Sequence, residues 1–134
     1  MDSILLEATA TTPKVIIDPI NNKFEISGES RPENTGKFYT PIIEWFESYR
    51  AELYFQKNSF GKSKKLLVDF KLEYFNSTSA KFILDIFYSL EKTQKEGYDV
   101  EVVWNYDARD TVLKESGEEF SKYVPDLTVK YVEY

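Results

Sequence analysis

Between Val68 and Leu90 the spacing of apolar residues changes from every second position to every third or fourth, across one short polar segment. Val68, Phe70 and Leu72 alternate with Asp69, Lys71 and Glu73, as the two faces of a half-buried strand do. Ala80, Ile83, Phe87 and Leu90 then recur at helical intervals, one apolar stripe of an amphipathic helix. A strand running straight into a helix commits the chain to packing helices on a sheet. The joint itself is Asn76-Ser77-Thr78-Ser79, three consecutive hydroxyls at the point where a helix has free backbone N–H groups and the positive end of its dipole. One capping hydroxyl is enough to start a helix. Three suggest a second use, and a reversible phosphate is the natural one, since a helix N-terminus tolerates the added charge of about −1.5 to −2.

The same reading extends along the chain. Lys14 to Asp18 and Lys23 to Ser27 form a hairpin about Ile20-Asn21-Asn22. Gly28 to Asn34 is a loop ending on a good N-cap residue. A first helix follows from Thr35 to about Leu53, with Phe38, Ile42, Trp45, Tyr49 and Leu53 on one face. Pro41 either kinks it or marks the start of its regular part. Gln56 to Lys64 is a polar, basic loop and Lys65 to Tyr74 the central strand. The second helix spans Ser77 to Glu96, closed by Gly97. Tyr98 to Asn105 is a strand. Thr111 to Val124 is a third helix with Leu113, Gly117, Phe120 and Val124 inward, and Leu127 to Tyr134 is a last strand. The order is ββαβαβαβ, a mixed sheet packed by helices, expected as a single domain over residues 1–134.

Composition removes whole classes of chemistry. The chain has neither cysteine nor histidine, which excludes thiol nucleophiles, disulfides, His/Cys zinc sites and Ser-His-Asp triads. Net charge is −6, and the largest basic cluster is Lys62-Ser63-Lys64-Lys65, so binding to nucleic-acid phosphates is disfavoured. The first residues lack a signal-peptide pattern and no segment reaches membrane-spanning length, so a cytoplasmic protein with no membrane partner is expected. Ten tyrosines, ten phenylalanines and two tryptophans supply ample core material.

Catalysis would have to rest on carboxylates, Lys, Tyr or Arg. Asp107 and Asp110 follow a strand, but Asp110 reads first as the cap of the next helix and no third metal ligand stands nearby. No metal or cofactor is expected. Gly61-Lys62-Ser63 ends like a phosphate-binding loop, yet Gln56 occupies the position where that loop needs glycine. Asn76-Ser77-Thr78 fits the N-glycosylation pattern, which a cytoplasmic chain does not use.

The element order, with a hydroxyl motif opening the helix after the central strand, resembles the STAS-type fold of anti-sigma-factor antagonists. Their motif is Asp-Ser-Ser/Thr-Gly; here Asn76 replaces the Asp and Ser79 the Gly. Along nearly its whole length the chain is similar to the SiaC family of regulatory phosphoproteins. The resembling pieces are Thr12-Pro13, Gly28-Glu29-Ser30-Arg31-Pro32-Glu33-Asn34, Trp45, Leu72-Glu73-Tyr74-Phe75-Asn76-Ser77-Thr78-Ser79 and Trp104-Asn105-Tyr106-Asp107.

The resemblance implies partner switching without enzymatic activity. A cognate Ser/Thr kinase modifies the residue after the Asn, which maps to Ser77, with Thr78 and Ser79 as rivals. A PP2C-type phosphatase reverses this, and the unmodified form binds the kinase or a diguanylate cyclase that makes the biofilm messenger cyclic-di-GMP. Asn76, Ser77, Thr78, Ser79, Lys81 and Phe82 are the expected partner-binding residues, with Lys81 one turn from Ser77. Two other readings stand beside this one. One is an anti-sigma-antagonist-like regulator of transcription; the other is a small enzyme using Asp69, Glu73 or Asp107.

Overall fold

The computed structural model describes residues 1–56 and 65–134. Most of the Gln56–Lys64 loop, with Gly61-Lys62-Ser63 and most of the basic cluster, lies outside them. Six strands form one sheet: β1 (Ile4–Leu6), β2 (Lys14–Asp18), β3 (Lys23–Ser30), β4 (Leu66–Phe75), β5 (Val100–Tyr106) and β6 (Val129–Glu133). Three helices connect the last four strands: α1 (Thr35–Gln56), α2 (Ser77–Lys95) and α3 (Thr111–Tyr123). The strands lie side by side in chain order. The β1–β2 and β2–β3 pairs are antiparallel and the three that follow are parallel. The mixed α/β sheet read from the patterning is therefore present, with one more strand than expected.

That extra strand, β1, has only Ile-Leu-Leu to show and no alternation to betray it. Its pairing with β2 makes it a strand. A second difference is the length of β3, which continues through Gly28 and Glu29 to Ser30 where a loop was expected. Gly28 takes a φ of 101°, and the register against β4 shifts between Gly28 and Glu29. The irregularity lets the strand go on pairing, Glu29 with Tyr74 and Ser30 with Phe75. The segment that opens as a turn in sequence thus delivers Ser30 beside the start of α2. The helix α1 runs unbroken through Pro41, so it starts at Thr35 and not at the proline. Asn34 caps it, its Oδ1 accepting the Lys37 N–H at 3.0 Å.

All three helices cover the same face. Phe24, Val68, Phe70 and Trp104 stand in register on β3, β4 and β5, on the side opposite Glu25, Asp69 and Val103. Around Phe24 gather Trp45, Phe46 and Tyr49 of α1; on Phe70 and Trp104 lie Phe87 of α2 and Phe120 of α3. Of the expected α1 stripe, Ile42 and Trp45 are buried together with Tyr39 and Phe46, while Phe38, Tyr49 and Leu53 are half-buried. On α2, Ile83, Phe87 and Leu90 are buried and Ala80 is half-buried.

Candidate functional site

The joint between β4 and α2 lies at the end of the sheet to which the parallel strands point. Asn76 has extended backbone (φ −86°, ψ 173°), and its Oδ1 accepts the Ser79 N–H at 2.9 Å. The cap is therefore the asparagine and not one of the three hydroxyls, as the run of Ser and Thr suggested. A carboxamide oxygen one residue earlier reaches the third amide of the helix and leaves the hydroxyls to other uses.

Those hydroxyls divide sharply. Ser77 is the first residue of α2 and is exposed, and its Oγ makes no hydrogen bond among the described residues. Thr78 is also exposed, but its Oγ1 donates to Asn76 Oδ1 at 3.2 Å. Ser79 has no solvent exposure and donates to the Ser30 carbonyl at 3.1 Å. As an accessible acceptor or a direct partner contact, Ser79 is thereby corrected: the turn of the helix aims it inward. Of the motif, Ser77 and Thr78 are at the surface and Asn76 is half-buried.

Lys81 extends into solvent, its Nζ 3.8 Å from Asp85 Oδ2 and 4.6 Å from the centre of the Phe82 ring. An ion pair so exposed contributes little to stability and leaves the ammonium available. Phe82 is half-buried and lies face to face with Tyr39, ring centres 5.9 Å apart and planes 7° from parallel. Its ring thus has Tyr39 stacked on it and the Lys81 ammonium over it. Gly36 brings the α1 N-terminus close to the same ring, since a Cβ there would stand 3.7 Å from Phe82 Cζ. The Pro32-Glu33-Asn34 loop and the Asn76–Ser79 joint, more than forty residues apart in sequence, are thus neighbours.

Two depressions flank this end. One, of about 440 Å³, is lined by Thr11, Pro32, Asn34, Lys37 and Phe38 among others. The other, of about 390 Å³, is lined by Glu73, Asp107, Arg109, Asp110, Leu113 and Tyr134. The second holds Glu73 and Asp107, two of the three carboxylates that an enzyme reading would use; Asp69 is not part of its lining. There the Arg109 side chain, bonded to Asp107 through two nitrogens, holds that carboxyl down at about 2. Asp110 accepts the Leu113 N–H at 2.9 Å and caps α3, as its position in the sequence suggested. Asp69 accepts from Asn105 Nδ2 at 3.3 Å. A carboxylate held ionised by a guanidinium is a poor proton donor at neutral pH. Among the described residues no three acidic side chains converge as metal ligands.

The sequence reading missed Ser30 and Tyr39, which hold the joint from beneath. Neither carries a local signal, because each is defined by a partner in another element. No helix among the described residues is long and apolar enough to cross a membrane.

A mixed sheet covered by helices on one face, with an exposed hydroxyl where a helix begins, defines a small α/β protein. The model of the SiaC family, regulatory phosphoproteins, matches residues 6–134, and the chain belongs to that family. An uncharacterized protein of Pseudomonas aeruginosa is 29% identical over 120 residues, which span 90% of this chain and 88% of that protein. The crystal structure of apo-SiaC from Pseudomonas aeruginosa matches with a TM-score of 0.80 at 27% identity, over 99% of this chain and 98% of that one. A chain in the crystal structure of the diguanylate cyclase SiaD with its activator SiaC, from the same organism, matches with a TM-score of 0.83 at 26% identity. That match covers 98% of this chain and 99% of the other.

Proposed function

We propose that this protein is a non-enzymatic partner-switching regulator in cyclic-di-GMP signalling, with Ser77 as its reversible phosphorylation site. The carrying observation is the state of the three hydroxyls: Ser77 alone combines exposure with an Oγ that makes no hydrogen bond among the described residues. The fold's likeness to an activator bound to a diguanylate cyclase supports a cyclase as the downstream partner. A cognate Ser/Thr kinase and a PP2C-type phosphatase complete the cycle.

The switch follows from solvation. A partner docked over Asn76, Ser77, Thr78, Lys81 and the exposed part of Phe82 removes water from the first turn of α2. Unmodified, that surface carries hydroxyls and amides that a partner can hydrogen-bond, and a lysine whose long stem lets its ammonium stay in water. A phosphate on Ser77 adds about −1.5 to −2 charges, and burying it costs several kcal/mol unless the partner supplies cations. Free in solution the same phosphate is tolerated, held by the Ser77 and Thr78 amides and within reach of Lys81. The fold persists and only the docking surface changes.

The test is affinity for the cognate cyclase. Ser77→Ala is expected to fold, to bind as the unmodified chain does and to resist the kinase. Ser77→Asp is expected to bind more weakly, though less so than the phosphorylated protein, because a carboxylate carries less charge. Mass spectrometry of the protein from its own cells locates the modified residue. Equal affinity for the unmodified, Ser77→Asp and phosphorylated forms would end this reading.

A further inference from the structure

Beneath the exposed site runs a closed set of hydroxyl hydrogen bonds whose direction the geometry dictates. Ser30, Tyr39 and Ser79 are each fully buried. Ser30 Oγ donates to Ser79 Oγ at 2.9 Å, and Ser79 Oγ donates to the Ser30 carbonyl at 3.1 Å. Each serine has one hydroxyl proton, and both are now committed. The 2.5 Å contact between Ser30 Oγ and the Tyr39 hydroxyl therefore takes its proton from Tyr39. Burial pushes the Tyr39 phenol up to about 12, so that proton stays in place at any physiological pH.

The chain ends on an acceptor shared with the surface site. The Ser30 carbonyl also takes the Asn76 N–H at 3.1 Å. Tyr39 of α1, the last residue of β3 and the first turn of α2 thus meet at one point. From the opposite side Phe82 lies flat on the Tyr39 ring, and Phe38 meets it edge-on with centres 5.0 Å apart. A change in the first turn of α2 reaches Tyr39 by two routes, through Ser79 and Ser30 or through Phe82.

We propose that Tyr39 is a positioning residue for Ser77: the hydrogen bond it donates to Ser30, which in turn donates to Ser79, fixes the first turn of α2, and the same path carries a change at Ser77 to residues 30–39. This rests on Ser77 being the switch residue. Tyr39 touches no partner itself; it sets how firmly, and at what angle, the Ser77 hydroxyl is offered.

Tyr39→Phe tests it, because the ring and its stack on Phe82 remain while the hydrogen bond to Ser30 is lost. Amide hydrogen exchange on the full chain reads each segment separately. Exchange over residues 77–82 is expected to speed up about three- to tenfold, the factor for one lost buried hydrogen bond, with residues 100–106 of β5 unchanged. Ser77→Asp is expected to alter exchange over residues 30–39 by at least about twofold in the parent background, and by clearly less in the Tyr39→Phe background, where the Phe82 stack is the one of the two routes left. A merely structural tyrosine would lower protection everywhere and leave the response to Ser77→Asp intact. Either of those results, or unchanged exchange over residues 77–82, overturns the proposal. Should Tyr39→Phe fail to fold, Ser30→Ala removes the hydroxyl that links Tyr39 to Ser79 while leaving the Ser79 bond to the Ser30 carbonyl, and the same loosening or its absence decides. The switch is judged separately, by the affinity of Ser77→Asp for the cyclase, so failure of one idea is not mistaken for failure of the other.

Discussion

Three adjacent hydroxyls share one motif and have three different fates, and single atoms decide which. Asn76 Oδ1 takes the Ser79 amide and the Thr78 hydroxyl, so the cap and one candidate acceptor are engaged together. Asn76→Ala is expected to destabilise the protein by about 0.5–2 kcal/mol, read as a lowered urea midpoint with unchanged slope. Thr78→Ala removes only an exposed 3.2 Å bond and is expected to stay within about 0.5 kcal/mol of the parent. If Thr78→Ala alone abolishes phosphorylation while Ser77→Ala does not, the acceptor is Thr78. The run of hydroxyls and the helix start were legible in the linear pattern. Which residue caps was not, because Asn, Ser and Thr are nearly equivalent caps and backbone geometry chooses among them.

At the scale of elements, α3 shows how close two pieces of this fold must come. A Cβ built on Gly117 would stand 2.5 Å from both Cδ1 and Nε1 of Trp104, a fully buried ring whose Nε1 donates to the Leu113 carbonyl at 2.9 Å. Gly117→Ala is therefore expected to destabilise by about 1–3 kcal/mol and to alter Trp104 fluorescence, even though alanine favours helix. An unchanged melting temperature would show that the helix shifts freely. Elements with a long period, α2 and β4 above all, were readable within a residue or two. The short strand β1 and the extension of β3 were not. Three apolar residues carry no period, and Gly28 reads as a turn until β4 is there to pair with the residues beyond it.

Over the whole molecule the sheet has a covered face and an open one, and the open face is held by charge. Across β2 to β6 it presents Ile16, Glu25, Asp69, Val103 and Lys130 in register. Near that row Glu101 is almost fully buried between Lys65, 3.2 Å away, and Lys130, 2.8 Å away. The Lys130 hydrogen bond first, then that of Lys65, holds the Glu101 carboxyl below its ordinary value of 4.5. A depressed folded value means stability that is present above the unfolded pKa and lost as pH falls through the folded one. Glu101→Gln is accordingly expected to be less stable than the parent at neutral pH, with the gap closing below pH 4.5 in melts run across the acid range. A gap that persists at low pH would assign the loss to packing instead. By itself the sequence determined what depends on neighbours along the chain: strand and helix periods, caps such as Asp110, the absence of thiol and imidazole chemistry, and the place of the hydroxyl motif. Only the tertiary structure decided that Ser77 faces water while Ser79 is fully buried on Ser30, and that Tyr39 stands behind both. The reason is physical: exposure and hydrogen bonding of a side chain are set by which distant backbone arrives beside it, and Ser30 arrives only because β3 pairs with β4 through Phe75.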